Sequence, residues 1–115
     1  MKRFRLLFLF FTLYAFAFSQ HQTNADSLKD LIAKMPDDSL KAKSIIKLSM
    51  NLISTGKYDD AEVYLKQLAI VSEQHGFPKG VGVSYNYRGI ICDDRGQSAM
   101  ALENYFKAQI GRAHV

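Results

Sequence analysis

The sequence predicts an all-α protein built from antiparallel helical hairpins. Apolar residues recur at three- and four-residue spacing from residue 28 to residue 108, which is the pattern of amphipathic helices. Runs of alternating β-branched residues are absent, and the two prolines, Pro36 and Pro78, fall between the periodic segments. The connections between these segments are only a few residues long, so neighbouring helices are expected to run antiparallel.

Residues 1–19 are expected to be a secretory signal peptide. A basic start (Lys2, Arg3, Arg5) precedes an uncharged run of thirteen residues, Leu6–Phe18, and a small residue, Ser19, stands before the expected cleavage point. The alternative is a transmembrane anchor, but thirteen helical residues span about 20 Å, less than the ~30 Å hydrocarbon core. The mature chain is therefore expected to be secreted to an extracytoplasmic space, without inserting into a membrane.

Removal of the signal peptide changes the meaning of the charge. The whole chain has 15 basic and 11 acidic residues, a formal net charge of +4. Three basic residues and no acidic residue belong to the signal, which leaves 12 basic against 11 acidic residues in the mature chain. No basic stripe remains, so nucleic acid is not an expected partner.

Residues 20–41 are expected to consist of a polar leader followed by the first helix. Asn24 or Asp26 is expected to cap this helix, and Pro36 is expected to end it. Its apolar face comprises Leu28, Leu31, Ile32 and Met35.

The second predicted helix begins after the capping oxygens of Asp37–Ser39 and ends near Thr55, before Gly56. It carries two apolar stripes, and a helix that is apolar on two sides is packed on two sides. One stripe comprises Ile45, Leu48, Ser49 and Leu52, and the other comprises Ile46, Met50 and Ile53.

Three further helices are predicted. The third begins at Tyr58 or Asp59 and ends near His75, before Gly76 and Pro78. The fourth covers about Lys79 to Arg95, before Gly96, and the fifth begins at Gln97. The apolar positions of the third helix are Ala61, Tyr64, Leu65, Leu68 and Ala69. Those of the fourth helix are Val81, Tyr85, Gly89 and Cys92. Those of the fifth helix are Ala101, Leu102, Tyr105, Phe106 and Ala108.

A helix–turn–helix unit repeats at a spacing of forty residues. Alignment of Gly56 with Gly96 places Ala61 on Ala101 and Ser49 on Gly89. Small side chains at these positions would let two helices approach closely, and the glycines would turn the chain between helices. A repeated hairpin of this kind is typical of a solenoid.

The segments "TGKYDDAEVYL" and "RGQSAMALENYFKA" resemble tetratricopeptide (TPR) repeats. The resemblance covers residues 42–109 as two elongated units, and it implies a TPR-like α-solenoid that binds a protein or peptide. Arg88, Ser98 and Leu68 depart from the family pattern, and the period exceeds the usual 34 residues. With the signal peptide and the leading helix, the chain is similar to the N-terminal sensor region of bacterial TPR-containing histidine kinases.

No catalytic constellation, metal site or cofactor is predicted. Asp59-Asp60 and Asp93-Asp94 are adjacent pairs that diverge on a helix, and we interpret them as solvated surface, with the second pair as the alternative binding feature. The three histidines are not spaced to share a metal ion. Cys92, the only cysteine, is expected to be a small buried residue rather than a reactive thiol.

The resemblance places a candidate binding face on the first helix of each hairpin. The residues expected there are Lys43, Ile46, Met50, Asn86, Ile90 and Asp93. The alternative is that Ile46, Met50 and Ile90 simply pack against the leading helix and the neighbouring repeat.

Two functions are therefore considered. The first is the extracytoplasmic, protein- or peptide-binding part of a bacterial signal-transduction protein. The second is a free-standing periplasmic scaffold that self-associates through its open C-terminal face. That face is expected to carry Leu102, Tyr105 and Phe106, which a further helix would normally cover.

Residues 110–115, "IGRAHV", fit the repeat poorly because Gly111 is expected to break the last helix. Reverse-translated, they allow ATC-GGA-AGA-GCA-CAC-GTC, the reading of a common sequencing-library adapter. We interpret this segment as a translated adapter that follows a truncated gene.

Overall fold

The computed structural model describes the backbone of residues 25–113 and the side chains of residues 25–110. The predicted signal peptide, the polar leader and the candidate cap Asn24 lie outside this range. The described chain is all-helical, as the sequence predicts. Its helices are α1 (25–34), α2 (Ser39–Ser54), α3 (Tyr58–Gln74), α4 (Pro78–Asp94) and α5 (Ser98–Ala113).

The helix boundaries follow local chemistry. The Asp38 carboxylate accepts a hydrogen bond of 3.0 Å from the backbone N–H of Lys41 and so caps α2. Pro78 was expected to lie between helices, but it begins α4, because its missing N–H is not needed in a first helical turn. Asp26 lies inside α1 and does not precede it.

Three turns of the same design connect α2 to α5. Gly56, Gly76 and Gly96 have φ values of 76°, 63° and 74°, in the left-handed region that glycine occupies without strain. After each glycine, the next backbone N–H bonds to the carbonyl five residues earlier, at 2.8, 2.7 and 2.8 Å. This is the hydrogen-bond pattern of a Schellman motif, and it recurs every twenty residues.

The helices pack in a regular order. α2 contacts α3, α3 contacts α4, and α4 contacts α5, while α2 also contacts α4. α3 and α4 are antiparallel, because the start of α3 at Tyr58 is bonded to the end of α4 at Asp94. Two helical hairpins, α2–α3 and α4–α5, therefore lie side by side.

The core occupies the space between these hairpins and α1. Ile45, Leu48, Leu52, Leu65 and Leu68 have no solvent exposure. The predicted first stripe of α2 is thus confirmed as buried. Leu31 was expected on the buried face of α1 but is 54% exposed; the buried face there is formed by Ala25 and Ile32, with Leu28 packed beside them.

Small residues occur where helices approach closely, as expected. Ser49, Ala61, Gly89 and Ala101 are all buried. α4 also has a second buried face, formed by Ser84 and Ile91. The Ser84 hydroxyl donates a 2.6 Å hydrogen bond to the carbonyl of Leu65 in α3, so this face joins the two hairpins.

α5 continues beyond the expected end of the repeat. Its helical backbone extends through Gly111 to Ala113, so the expectation that Gly111 breaks the helix is wrong. Glycine in a helix costs about 1 kcal/mol relative to alanine, which helical hydrogen bonding on both sides can offset. The coding origin of residues 110–115 stays a prediction.

Candidate binding groove

An apolar groove lies where α2 and α4 run side by side. It is lined by Met50, Ile53 and Ser54 of α2 and by Tyr87 and Ile90 of α4, and it is an open depression with a volume of about 200 Å³. We call these five residues the α2–α4 groove. Met50 and Ile90 are forty residues apart, so the same position of each hairpin contributes one wall.

The groove rests on the hydrophobic core. Ile53 and Tyr87 are half-buried and pack against core residues, whereas Met50 is 55% exposed at the rim. The Ser54 hydroxyl donates to the carbonyl of Asn51 at 2.8 Å, so its proton is directed to the helix backbone. A fixed apolar floor with a flexible thioether at the rim suits an apolar side chain of variable shape.

The groove contains two of the six residues predicted for the binding face. Met50 and Ile90 line the groove together. Ile46 packs against the core, in agreement with the alternative interpretation of that residue. Lys43 is exposed and Asn86 is half-buried, and neither lines the groove.

The Asp93 side chain forms a hydrogen bond within the second hairpin. Its carboxylate accepts a hydrogen bond of 2.8 Å from the Tyr105 hydroxyl of α5. Burial and, after it, this hydrogen bond raise the pKa of Tyr105. Asp93 therefore links α4 to α5, and it does not line the α2–α4 groove.

A second polar cluster joins α3 to the end of α4. The Tyr58 hydroxyl donates to Asp94 at 3.0 Å, and this bond raises the pKa of Tyr58. The Arg95 guanidinium bonds Asp59 at 2.5 Å and Glu62 at 3.3 Å. It also lies 5.7 Å from the centroid of the Tyr58 ring, within the range of a cation–π contact.

The paired carboxylates thus have separate partners. Asp59 contacts Arg95, Asp60 lies 3.8 Å from Lys29, Asp93 contacts Tyr105, and Asp94 contacts Tyr58. Two carboxylates must converge on one cleft to work as an acid–base pair, and these four point to different neighbours. Among residues 25–110, no three His, Cys, Asp or Glu side chains are placed to hold a metal ion.

Cys92 is buried, as expected for a small apolar residue. Its sulfur lies 3.7 Å from the side-chain nitrogen of Asn104 on α5. The thiol therefore belongs to the α4–α5 contact.

Three groove residues, Ile53, Ser54 and Tyr87, were not predicted for the binding face. Tyr87 is the aromatic residue among them. It precedes Ile90 by three residues, so it shares a helix face with Ile90. That spacing was the available signal, but the fourth helix is apolar on several sides and the spacing alone did not single out Tyr87.

Comparisons with protein-family models, with curated proteins and with solved structures find no match to this chain. Within the described residues, no helix is long and apolar enough to cross a membrane.

Proposed function

We propose that this chain is a protein- or peptide-binding module of the TPR type and that it holds its ligand in the α2–α4 groove. The observation that carries the proposal is the position of Met50 and Ile90. They occupy equivalent places in two successive hairpins and form opposite walls of one apolar groove. Repeated hairpins create binding surfaces in this way, by aligning the same position of successive units.

The packing order supports the TPR type. The first helix of each hairpin contacts the second, the second contacts the first helix of the next hairpin, and the two first helices contact each other. The turns within the two hairpins, at Gly56 and Gly96, share the same left-handed glycine and the same hydrogen-bond pattern. The resemblance of the sequence to TPR repeats also supports assignment to the TPR type.

The ligand is a peptide that places a large apolar side chain between Met50 and Ile90. The groove is apolar, and its serine hydroxyl is bonded to the backbone, so apolar contact rather than charge provides the affinity. The signal-like N-terminus and the resemblance to sensor regions of histidine kinases favour an extracytoplasmic part of a bacterial signal-transduction protein.

Selection of short random peptides displayed on phage tests this function. Selected peptides should bind the purified chain, and Met50→Asp or Ile90→Asp should weaken binding at least about tenfold, which is ~1.4 kcal/mol, because a carboxylate in an apolar contact is poorly solvated. Ile70→Asp on α3 is the matched control, because Ile70 is 56% exposed and Met50 is 55% exposed.

Circular dichroism should show the same helix content in all three variants. The proposal is contradicted if no peptide is selected, or if Ile70→Asp weakens binding as strongly as the groove variants while all remain folded.

A further inference from the structure

The sulfur-containing residues of the described chain differ in their access to solvent. Cys92 is 4% exposed, and Met35 is half-buried. Met50 and Met100 are 55% and 53% exposed. Because oxidation of sulfur by a dissolved oxidant follows exposure, Met50 and Met100 are the two residues of 25–110 whose sulfur atoms such an oxidant reaches first.

Only one of these two thioethers belongs to the α2–α4 groove. Met50 forms one wall of it, opposite Ile90. The groove holds no other sulfur atom, so oxidation would change one wall and leave the other lining residues as they are. Met100 lies on α5, which among α2 to α5 contacts α4 alone. The two methionines are therefore equally exposed, but differ in whether they line the groove.

A peroxide is the oxidant that this position would meet in solution. The sulfur lone pair of Met50 attacks one peroxide oxygen, so that an S–O bond forms and the O–O bond breaks. The sulfur loses two electrons to the peroxide. With hydrogen peroxide, the proton of the transferred hydroxyl passes to the departing oxygen, which leaves as water. The product is methionine sulfoxide, a polar and chiral side chain.

We propose that Met50 is a reversible oxidation site that sets the affinity of the α2–α4 groove for its peptide. The thioether contacts the apolar side chain of the ligand, whereas the sulfoxide oxygen would lose its hydrogen bonds to water in that contact. The Ser54 hydroxyl does not replace them, because it donates to the carbonyl of Asn51. This inference rests on the proposed function of the groove.

The oxidation is reversible by known chemistry. Methionine sulfoxide reductases return the sulfoxide to the thioether, with one enzyme for each sulfoxide epimer. A dithiol supplies the two electrons and becomes a disulfide, and the oxygen leaves as water. The groove would regain its affinity in the same step.

Peroxide treatment of the full chain tests this inference, with one selected peptide that contains neither methionine nor cysteine. Mass spectrometry of proteolytic fragments measures the sulfoxide at each methionine. The affinity of the wild type should fall about tenfold as Met50 becomes sulfoxide, and it should return after treatment with the two reductases and a dithiol. Circular dichroism should show the same helix content throughout.

Met100→Leu is the matched variant, because Met100 is as exposed as Met50 but lies outside the groove. Oxidised Met100→Leu should lose affinity as the wild type does. Met50→Leu is compared only with itself, and its affinity should not change on peroxide treatment. Bound peptide should also slow the oxidation of Met50 several-fold without slowing that of Met100.

Two outcomes would overturn this inference and leave the proposed function standing. One is an unchanged wild-type affinity when Met50 is fully converted to sulfoxide. The other is a loss of affinity in oxidised Met50→Leu as large as that of the wild type. If the reduced wild type binds no peptide, or if bound peptide does not protect Met50, both the proposed function and this inference are wrong.

Discussion

Gly89 of α4 lies directly against the ring of Tyr105 in α5. A Cβ atom at Gly89 would be 2.5 Å from Cε1 of that ring, closer than carbon atoms approach in folded proteins. The ring is held in place by the bond of its hydroxyl to Asp93. The close approach of the second hairpin's helices therefore depends on the missing side chain.

Gly89→Ala should lower the free energy of unfolding by up to about 2 kcal/mol, because overpacking costs ~1–3 kcal/mol and alanine gains ~1 kcal/mol over glycine in a helix. Denaturant unfolding measures the change. The cost should shrink when Tyr105→Leu is also present, since the smaller side chain leaves room. A stabilising Gly89→Ala would show that the helices are not in close contact.

Buried serines should respond oppositely to loss of their hydroxyls. Ser84→Ala should destabilise the fold by about 1 kcal/mol, because it removes a buried hydrogen bond to the Leu65 carbonyl. Ser49→Ala is the matched control. The Ser49 hydroxyl is equally buried, but it has no hydrogen-bond partner among the described residues, so its removal should be neutral or stabilising. Equal destabilisation by both changes would contradict the assigned bonding.

The turn glycines should tolerate substitution poorly for a backbone reason alone. No atom lies within 4 Å of a Cβ built at Gly56 or Gly96, so an added methyl group meets no neighbour. Gly56→Ala and Gly96→Ala should each lower the free energy of unfolding by about 1–2 kcal/mol, the cost of a left-handed alanine. Substitution by asparagine should cost less. Equal costs for alanine and asparagine would exclude this explanation.

Stability should fall at high pH because two tyrosines are bonded to carboxylates. The pKa values of Tyr58 and Tyr105 are raised in the folded state above the ordinary value of 10.0. The protonated phenols therefore stabilise the fold fully below about pH 10, and this contribution is lost as pH rises through the folded-state pKa values. Urea unfolding measured across this pH range should show a shallower loss of stability for Tyr58→Phe and Tyr105→Phe than for the wild type. A loss as steep as that of the wild type would contradict the two bonds.

The local features of this fold were predictable from sequence, and several contacts were not. The stripe of Ile45, Leu48 and Leu52 and the stops at the turn glycines depend on spacing and backbone conformation, which neighbouring residues determine. The contact of Ser84 with Leu65 and the pairing of Asp93 with Tyr105 depend on how hairpins are placed against each other. Helical spacing contains little information about that placement.

The candidate site shows the same division. Met50 and Ile90 were expected on one face because they hold equivalent repeat positions, and they do line one groove. Asp93 was placed with them by the same rule, but its carboxylate bonds Tyr105 instead. Repeat position fixes the direction of a residue on its helix, whereas hydrogen bonding decides which neighbour a polar side chain contacts.

Methyl NMR during titration with a selected peptide tests the central claim most directly. In a chain with labelled methionine and isoleucine methyl groups, the resonances of Met50, Ile53 and Ile90 should shift together in a saturable way. Those of Ile70 and Met100, which are similarly exposed on α3 and α5, should stay in place. Shifts confined to Ile110 and Met100 on α5, or no saturable shift at the groove, would contradict the proposal that the α2–α4 groove is the binding site.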